Sequence, residues 1–269
     1  MAKGMSTMTQ ALFRLDGAVA FVSGAAGHLG QPMVRALAEA GAHVILNGRN
    51  QSRLDAFAAD LAAAGYACET AAFDMADFAA VRRYFSALPR LDVLVNNAVA
   101  MTPKPFADLE PSDFDTTYRS GVTAAFEAAR AALPALRAAA SITGGAAIVN
   151  VASMYGLVAP DKRIYAKPEQ ASPFHYGPAK AALLQLTRHL AAELAPDRIR
   201  ANALVPGPFP RPQVEQDDPA FAARLAAKTM LGRLGQAEEI AAPLLFLSSK
   251  ASSFVTGSAL AVDGGWTAW

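Results

Sequence analysis

The chain has a single cysteine, Cys68, in 269 residues. A disulfide-held secreted domain needs several, and one thiol cannot close an intrachain bridge. Excess charge of either sign is missing too: 24 Lys and Arg face 23 Asp and Glu, a formal net charge of +1. A protein that holds nucleic acid by bulk positive charge is more basic than this. Charged residues are 17% of the chain and hydrophobic ones 53%, the reverse of a disordered composition. No apolar run reaches about 18 residues without a charge or a breaker, so no membrane span is expected. Met1 to Gln10 lack the apolar stretch of a secretion signal. These absences predict a cytoplasmic protein that engages neither nucleic acid nor membrane, and no metal site is expected.

What the chain does have is alanine, about 60 residues, well above ordinary usage. Alanine is the best helix former, so many close-packed helices are expected. Alanine carries no chemistry, so function must sit in the remaining clusters. Short apolar runs read as strands at 18–23, 43–47, 67–73, 91–96, 146–151, 200–205 and 259–262. Helical patterns lie between them at 30–40, 51–64 and 77–88, and longer ones at about 112–139 and 174–194. Strands alternating with helices argue βαβ units in an α/β fold. Strands that are apolar throughout fit a parallel sheet covered on both faces. The expectation is a Rossmann-type, doubly wound sheet of about seven strands. A tail over 1–14 precedes one domain over 15–269. Two loops stand out as substrate loops, at about 154–172 and 206–230, because both exceed ordinary βα connections.

The first strand runs into Ser23-Gly24-Ala25-Ala26-Gly27-His28-Leu29-Gly30, and a helix follows at once. Glycine permits a turn with φ > 0 and close approach of a phosphate, and the helix N-terminus offers free N–H groups to it. At the end of the second strand, Asn47-Gly48-Arg49-Asn50 contains no acid to accept bonds from a ribose hydroxyl. Arg49 instead offers paired, charge-assisted hydrogen bonds to a 2′-phosphate. NADP(H) is therefore favoured, with NAD(H) the alternative.

Tyr176-Gly177-Pro178-Ala179-Lys180 opens the later long helix. Residues four apart share a helix face. Pro178 is tolerable in the first turn, where N–H groups are unpaired. An ammonium about 4 Å from a phenol is worth about 4 kcal/mol at an effective dielectric near 20. That would bring Tyr176 toward neutral pH as an acid/base.

Taken together, these segments resemble the short-chain dehydrogenase/reductase family from about Leu15 to Gly265. Ser23–Gly30 resembles its T-G-x-x-x-G-x-G loop, Asn96-Asn97-Ala98-Val99 its N-N-A-G, and Tyr176/Lys180 its Y-x-x-x-K. Asp74 resembles the acid that contacts adenine, Ser153 the catalytic serine, Pro206-Gly207 the P-G beside nicotinamide, and Val262-Asp263-Gly264-Gly265 the usual C-terminal stretch. The resemblance implies catalysis by Ser153, Tyr176 and Lys180. It implies a cofactor held by Ser23, Gly24, Ala26, Gly27, His28, Leu29, Gly30, Arg49, Asp74, Met75, Asn97, Ala98, Tyr176, Lys180, Pro206, Gly207 and Phe209. Hydride would pass between nicotinamide and a secondary alcohol or ketone, in a homotetramer or homodimer.

Some strings, such as Ile45-Leu46-Asn47-Gly48-Arg49, are similar to gluconate 5-dehydrogenases and to 3-oxoacyl-carrier-protein reductases. A sugar acid, polyol or other anionic carbonyl compound is the expected substrate, and a 3-oxoacyl thioester the alternative. Four positions depart from the family. His28 replaces the middle glycine. Val99 replaces the last glycine of N-N-A-G. Gly121 stands where an asparagine normally holds a relay water, a task left to Ser120 or to further water. Residues 154–172 read as an insertion of about ten residues. The basic Lys162, Arg163 and Lys167 of that insertion, His175 and Arg211 are the candidates for contact with substrate. A dinucleotide-binding sensor or scaffold with little turnover is the competing reading.

Overall fold

The computed structural model describes residues 8–166 and 171–269. Seven strands form one sheet: β1 (Val19–Ser23), β2 (His43–Gly48), β3 (Cys68–Ala72), β4 (Val93–Asn96), β5 (Ala146–Val151), β6 (Ile199–Pro206) and β7 (Ala259–Val262). All neighbours pair in parallel, in the order β3-β2-β1-β4-β5-β6-β7. The helices are α1 (Met8–Leu12), α2 (Gly30–Glu39), α3 (Gln51–Ala63), α4 (Phe78–Ala87), α5 (Pro111–Tyr118), α6 (Ala124–Ala131), α7 (Leu133–Thr143), α8 (Tyr176–Leu194), α9 (Pro212–Asp217), α10 (Pro219–Ala227) and α11 (Ala241–Ser248). This is the expected doubly wound fold. The strand order reverses between β1 and β4, and such a switch point opens a crevice at the strands' C-terminal ends.

Alternation along each strand builds two cores. Ala20, Val22, Val44, Leu46, Val93, Val95 and Val149 face α2, α3 and α11, against Met33, Leu37, Leu54, Leu61 and Leu244. Phe21, Ile45, Leu94 and Ile148 face the opposite way, against Val81, Phe85, Ala128, Leu136 and Leu194. Alanine lines the second core at 124, 128, 132, 135 and 139, all nearly fully buried, so helices approach the sheet closely. The edge strands β3 and β7 are only partly covered.

Three expectations about elements change. The helix read over 112–139 is three helices. A π-helical turn at Arg119–Thr123 separates α5 from α6, and Pro134, which lacks an N–H, sits at the start of α7. The proline-rich loop read over 206–230 contains two helices. Pro212 and Pro219 occupy their first turns, and the Asp218 side chain caps α10 by accepting from the Phe221 N–H at 2.8 Å. The expected tail contains α1, exposed along its length, and the buried core begins at Leu15.

A buried polar ladder ties β4 through β5 to α8. Asn96 Nδ2 donates to Asn150 Oδ1 at 2.8 Å, and Asn150 Nδ2 donates to Thr187 Oγ1 at 2.9 Å. Thr187 Oγ1 in turn donates to the Leu183 carbonyl at 2.8 Å. Removing the middle amide leaves buried groups on both sides without partners. Asn150→Ala is expected to lower stability by about 2 kcal/mol in urea unfolding. A loss below about 0.5 kcal/mol would show that the ladder contributes little.

Candidate active site

Ser23 and Asn97 lock the crevice at the switch point. Ser23 Oγ accepts from the N–H groups of Asn97 at 2.9 Å and Ala98 at 3.0 Å. Asn97 Nδ2 donates back to the Ser23 carbonyl at 3.0 Å and the Gly24 carbonyl at 3.2 Å. Gly24 sits at φ +66°, and a Cβ on Gly30 would lie 2.2 Å from the Gly24 carbonyl oxygen. Only glycine allows this tight turn. It delivers α2 with Leu29 at its start and no side-chain cap; the Gln31 N–H is taken by the Gly27 carbonyl at 3.1 Å and Pro32 has none, which leaves the Gly30 N–H of the first turn for an anion. His28 Nε2 is buried and has no hydrogen-bond partner among the described residues. The loop therefore fits a dinucleotide pyrophosphate, with His28 in place of the usual glycine.

At the end of β2, Arg49 lies 3.9 Å from Asp74, and both are solvent-accessible. A second guanidinium stands nearby: Arg53 donates from α3 to the Ala26 carbonyl at 2.9 Å. Sequence reasoning missed Arg53, because its reach across to the loop is a tertiary feature. The Met75 side chain is buried in the core beside Phe21 and Ile45. Pro206 ends β6, and Gly207 runs so close to Asp263 that a Cβ there would lie 2.4 Å from the Asp263 Cα. Phe209 packs partly buried on the first core.

Ser153, Tyr176 and Lys180 come together because two glycines let one backbone touch another. Residues Met154–Gly156 form a short 3₁₀ turn directly after Ser153. A Cβ on Gly156 would lie 2.8 Å from the Lys180 backbone, and one on Gly177 would lie 2.9 Å from the Tyr155 carbonyl oxygen. The turn thus rests on the first turn of α8. Sequence reasoning passed over both glycines. Ser153 is buried, and its oxygen accepts from the Tyr155 N–H at 3.2 Å. Its hydroxyl also bears on the Tyr176 phenol and favours the phenolate, but burial is the larger effect and pushes that phenol up from its ordinary value. Lys180 donates to the Val151 carbonyl at 2.5 Å and lies 5.5 Å from the centre of the Tyr176 ring. Burial lowers it to about 8. The expected acidification of Tyr176 by Lys180 is therefore not present in the free chain: the ammonium lies beside the ring and is itself destabilised. Its two remaining N–H donors are available to hydroxyls of a bound ligand.

The two departures at 99 and 121 are one packing event. A Cβ on Gly121 would lie 3.1 Å from Val99 Cγ2, so the valine takes the space that a side chain at 121 would use. Ser120 does not stand free to replace a relay asparagine. Its oxygen accepts from the Ala100 N–H at 2.9 Å, and its proton is directed to the Thr116 carbonyl at 2.9 Å.

The residues expected around the substrate separate. His175 is fully buried, with Nδ1 2.9 Å from Thr117 Oγ1 and Nε2 3.2 Å from the Thr102 carbonyl oxygen, so neither nitrogen is free for a ligand. Arg163 pairs with Asp161 through two bonds at 2.8 and 2.9 Å. Lys167 lies outside the described residues. Arg211 is exposed and lines an 870 Å³ cavity with His28, Arg35 and Glu215, between α2 and the α9–α10 segment. That cavity includes none of Ser153, Tyr176 and Lys180. No helix among the described residues is long and apolar enough to cross a membrane.

A family model described as enoyl-(acyl carrier protein) reductase matches residues 24–267. The chain belongs to the short-chain dehydrogenase/reductase family. It is similar to the rhamnolipid-biosynthesis 3-oxoacyl-[acyl-carrier-protein] reductase of Pseudomonas aeruginosa, at 34% identity over 94% of this chain and 98% of that one. It is 37% identical to the L-tagatose-forming galactitol 2-dehydrogenase of Cereibacter sphaeroides, over 96% of this chain and 98% of that one. Among solved structures it resembles a gluconate 5-dehydrogenase from Burkholderia cenocepacia in complex with NADP and tartrate. That match has a TM-score of 0.85 and 32% identity, over 97% of this chain and 99% of that one. The chain is thus an NAD(P)-dependent oxidoreductase of the alcohol/ketone class.

The Lys180 environment has a measurable sign. The folded value of about 8 lies below the ordinary 10.5, so between these pH values the unfolded chain binds the extra proton. Stability carried by this group must rise from pH 8 toward 10.5, by up to about 3 kcal/mol. Urea unfolding of wild type against Lys180→Met at pH 7.5 and 10 measures it. A difference that stays constant with pH would refute the assignment.

Proposed function

We propose that the chain interconverts a secondary alcohol and a ketone with NADP(H), using Ser153, Tyr176 and Lys180. The observation that carries this is the seating of the 154–156 turn on α8, which brings those three side chains to one place. A bound nicotinamide supplies the hydride donor or acceptor. Tyr176 exchanges the proton of the substrate oxygen, Ser153 hydrogen-bonds that oxygen, and Lys180 holds ribose hydroxyls. The substrate is a secondary alcohol or ketone bearing further oxygen, a feature shared by the galactitol, gluconate and 3-oxoacyl compounds for which three of the similar proteins are named. Arg163 is engaged by Asp161 and Arg211 lines a cavity apart from Ser153, Tyr176 and Lys180, so neither is assigned to the substrate. The exposed Phe126 on α6 supports pairing of chains through that helix, as a homodimer or homotetramer. Dinucleotide binding without turnover is the competing reading, favoured by the absence of a side chain at Gly121 and the engaged hydroxyl of Ser120.

NADPH oxidation with hydroxyketones and 3-oxoacyl thioesters tests the reaction. Tyr176→Phe is expected to lower kcat at least about 100-fold. Because burial holds the phenol protonated, reduction should change little between pH 6 and 8, while alcohol oxidation should climb toward alkaline pH. Equal activity in the Tyr176→Phe variant, or oxidation that peaks near neutrality, would overturn the role of Tyr176. NADPH binding with no turnover across the panel would favour the sensor.

Arg49 is the proposed partner of the 2′-phosphate. Arg49→Ala should weaken NADPH binding about tenfold or more and leave NADH nearly unchanged. Equal losses for both dinucleotides in calorimetric titration would exclude that role.

A further inference from the structure

Residues 161–165 of the insertion are fixed to the segment that follows β6. Asp161 accepts from the Arg163 N–H at 3.0 Å and from Lys228 Nζ at 3.2 Å. Arg224 of α10 donates to the Ile164 carbonyl at 2.7 Å. The Tyr165 ring packs against Phe221 with centroids 5.6 Å apart. These contacts hold Tyr165 in place, and its hydroxyl lies 2.5 Å from that of Tyr155. Tyr155 occupies the turn between Ser153 and the first turn of α8, and its ring meets Trp266 edge-on at 6.3 Å. Met154, Ile164, Leu225 and Trp266 close around the pair as an apolar wall.

Counting protons shows what this pair has left over. Two phenols carry two O–H protons, and their mutual hydrogen bond uses one. The Ser172 N–H occupies an acceptor position on Tyr165 and uses none. Among the described residues neither phenol donates to any other group. Whichever phenol donates to the other, one O–H donor remains. It is set in an apolar wall, on a pair whose Tyr155 follows Ser153 by two residues in the chain, and there a hydrogen bond is stronger than in water.

We propose that Tyr155 and Tyr165 form a substrate-recognition pair whose spare O–H donates to a second oxygen on the substrate, on the carbon next to the reacting one. The inference rests on the proposed alcohol/ketone chemistry at Ser153 and Tyr176 and names the substrate class that this site selects. The preferred substrate is a ketone or alcohol with a neighbouring hydroxyl or carbonyl oxygen on an otherwise apolar frame. The pair acts on specificity and moves no proton in the reaction.

Binding of ketones to the NADP⁺-loaded protein tests this without turnover, since oxidised cofactor cannot give up hydride. The probes are 2-methoxycyclohexanone, whose ether oxygen accepts a hydrogen bond and cannot be oxidised to a ketone by NADP⁺, and cyclohexanone, titrated calorimetrically. Wild type should bind the methoxyketone about five- to tenfold more tightly, the worth of one net hydrogen bond. The Tyr155→Phe/Tyr165→Phe variant should lose that ratio and keep its affinity for cyclohexanone. Each single variant should retain part of it, because the remaining phenol still has a proton to give. A purely structural pair would lower the melting temperature and leave the ratio unmoved. Failure of the methoxyketone to bind wild type more tightly than cyclohexanone, or an unchanged ratio in the double variant, overturns the proposal. The proposed reaction fails separately, through turnover that is insensitive to Tyr176→Phe.

Discussion

Everything at the reacting end depends on one backbone-to-backbone contact. The turn after β5 lies against the first turn of α8, and Gly156 and Gly177 are what permit it. A side chain at either position would force the turn away from the helix. Ser153 and Tyr155 would then leave Tyr176 and Lys180. The contact also explains why Lys180 is so deeply buried. It stands beneath a lid of main chain, bonded to the Val151 carbonyl, and burial weakens its charge. A buried ammonium with a single carbonyl partner is an unfavourable arrangement in a resting fold. Such perturbed groups cluster where ligands bind.

The sheet register carries this arrangement to the cofactor end. Asn96 on β4 pairs in register with Asn150 on β5, and their amides join across the strands before reaching Thr187 on α8. One residue further, Asn97 is bound to Ser23 and Gly24. The glycine loop, the end of β4 and the reacting helix are therefore linked by a continuous polar path at the strands' C-terminal ends. Such fixed positions suit hydride transfer, where the protein contributes orientation and electrostatics rather than the chemistry itself.

Charge near this end is paired locally. The chain is nearly neutral in sum, and its charged side chains work in local sets. Asp161 gathers Arg163 and Lys228, and Arg49 stands by Asp74. A basic loop in the sequence thus becomes an ion-pair clamp in the fold, and the wall it supports is aromatic. Val99 and Gly121 trade volume in the same manner: two separate departures from the family pattern become one packed contact.

The sequence alone determined the order of elements, the doubly wound sheet and the residues of the glycine loop, because strand and helix periodicity and a βα turn are local properties. It also determined the Tyr176–Lys180 pair, since positions four apart share a helix face wherever that helix goes. The breaks at Pro134 and at the Pro212 and Pro219 helix starts are present in the sequence, yet pattern alone gives one long helix and one long loop, because proline marks a helix start as readily as a loop. Tertiary structure alone decided what each charge and hydroxyl would meet. Arg163 met Asp161, His175 was enclosed by Thr117 and Thr102, and Tyr165 was brought to Tyr155. Those partners come from other loops and helices, and no spacing along the chain encodes a contact that only folding creates.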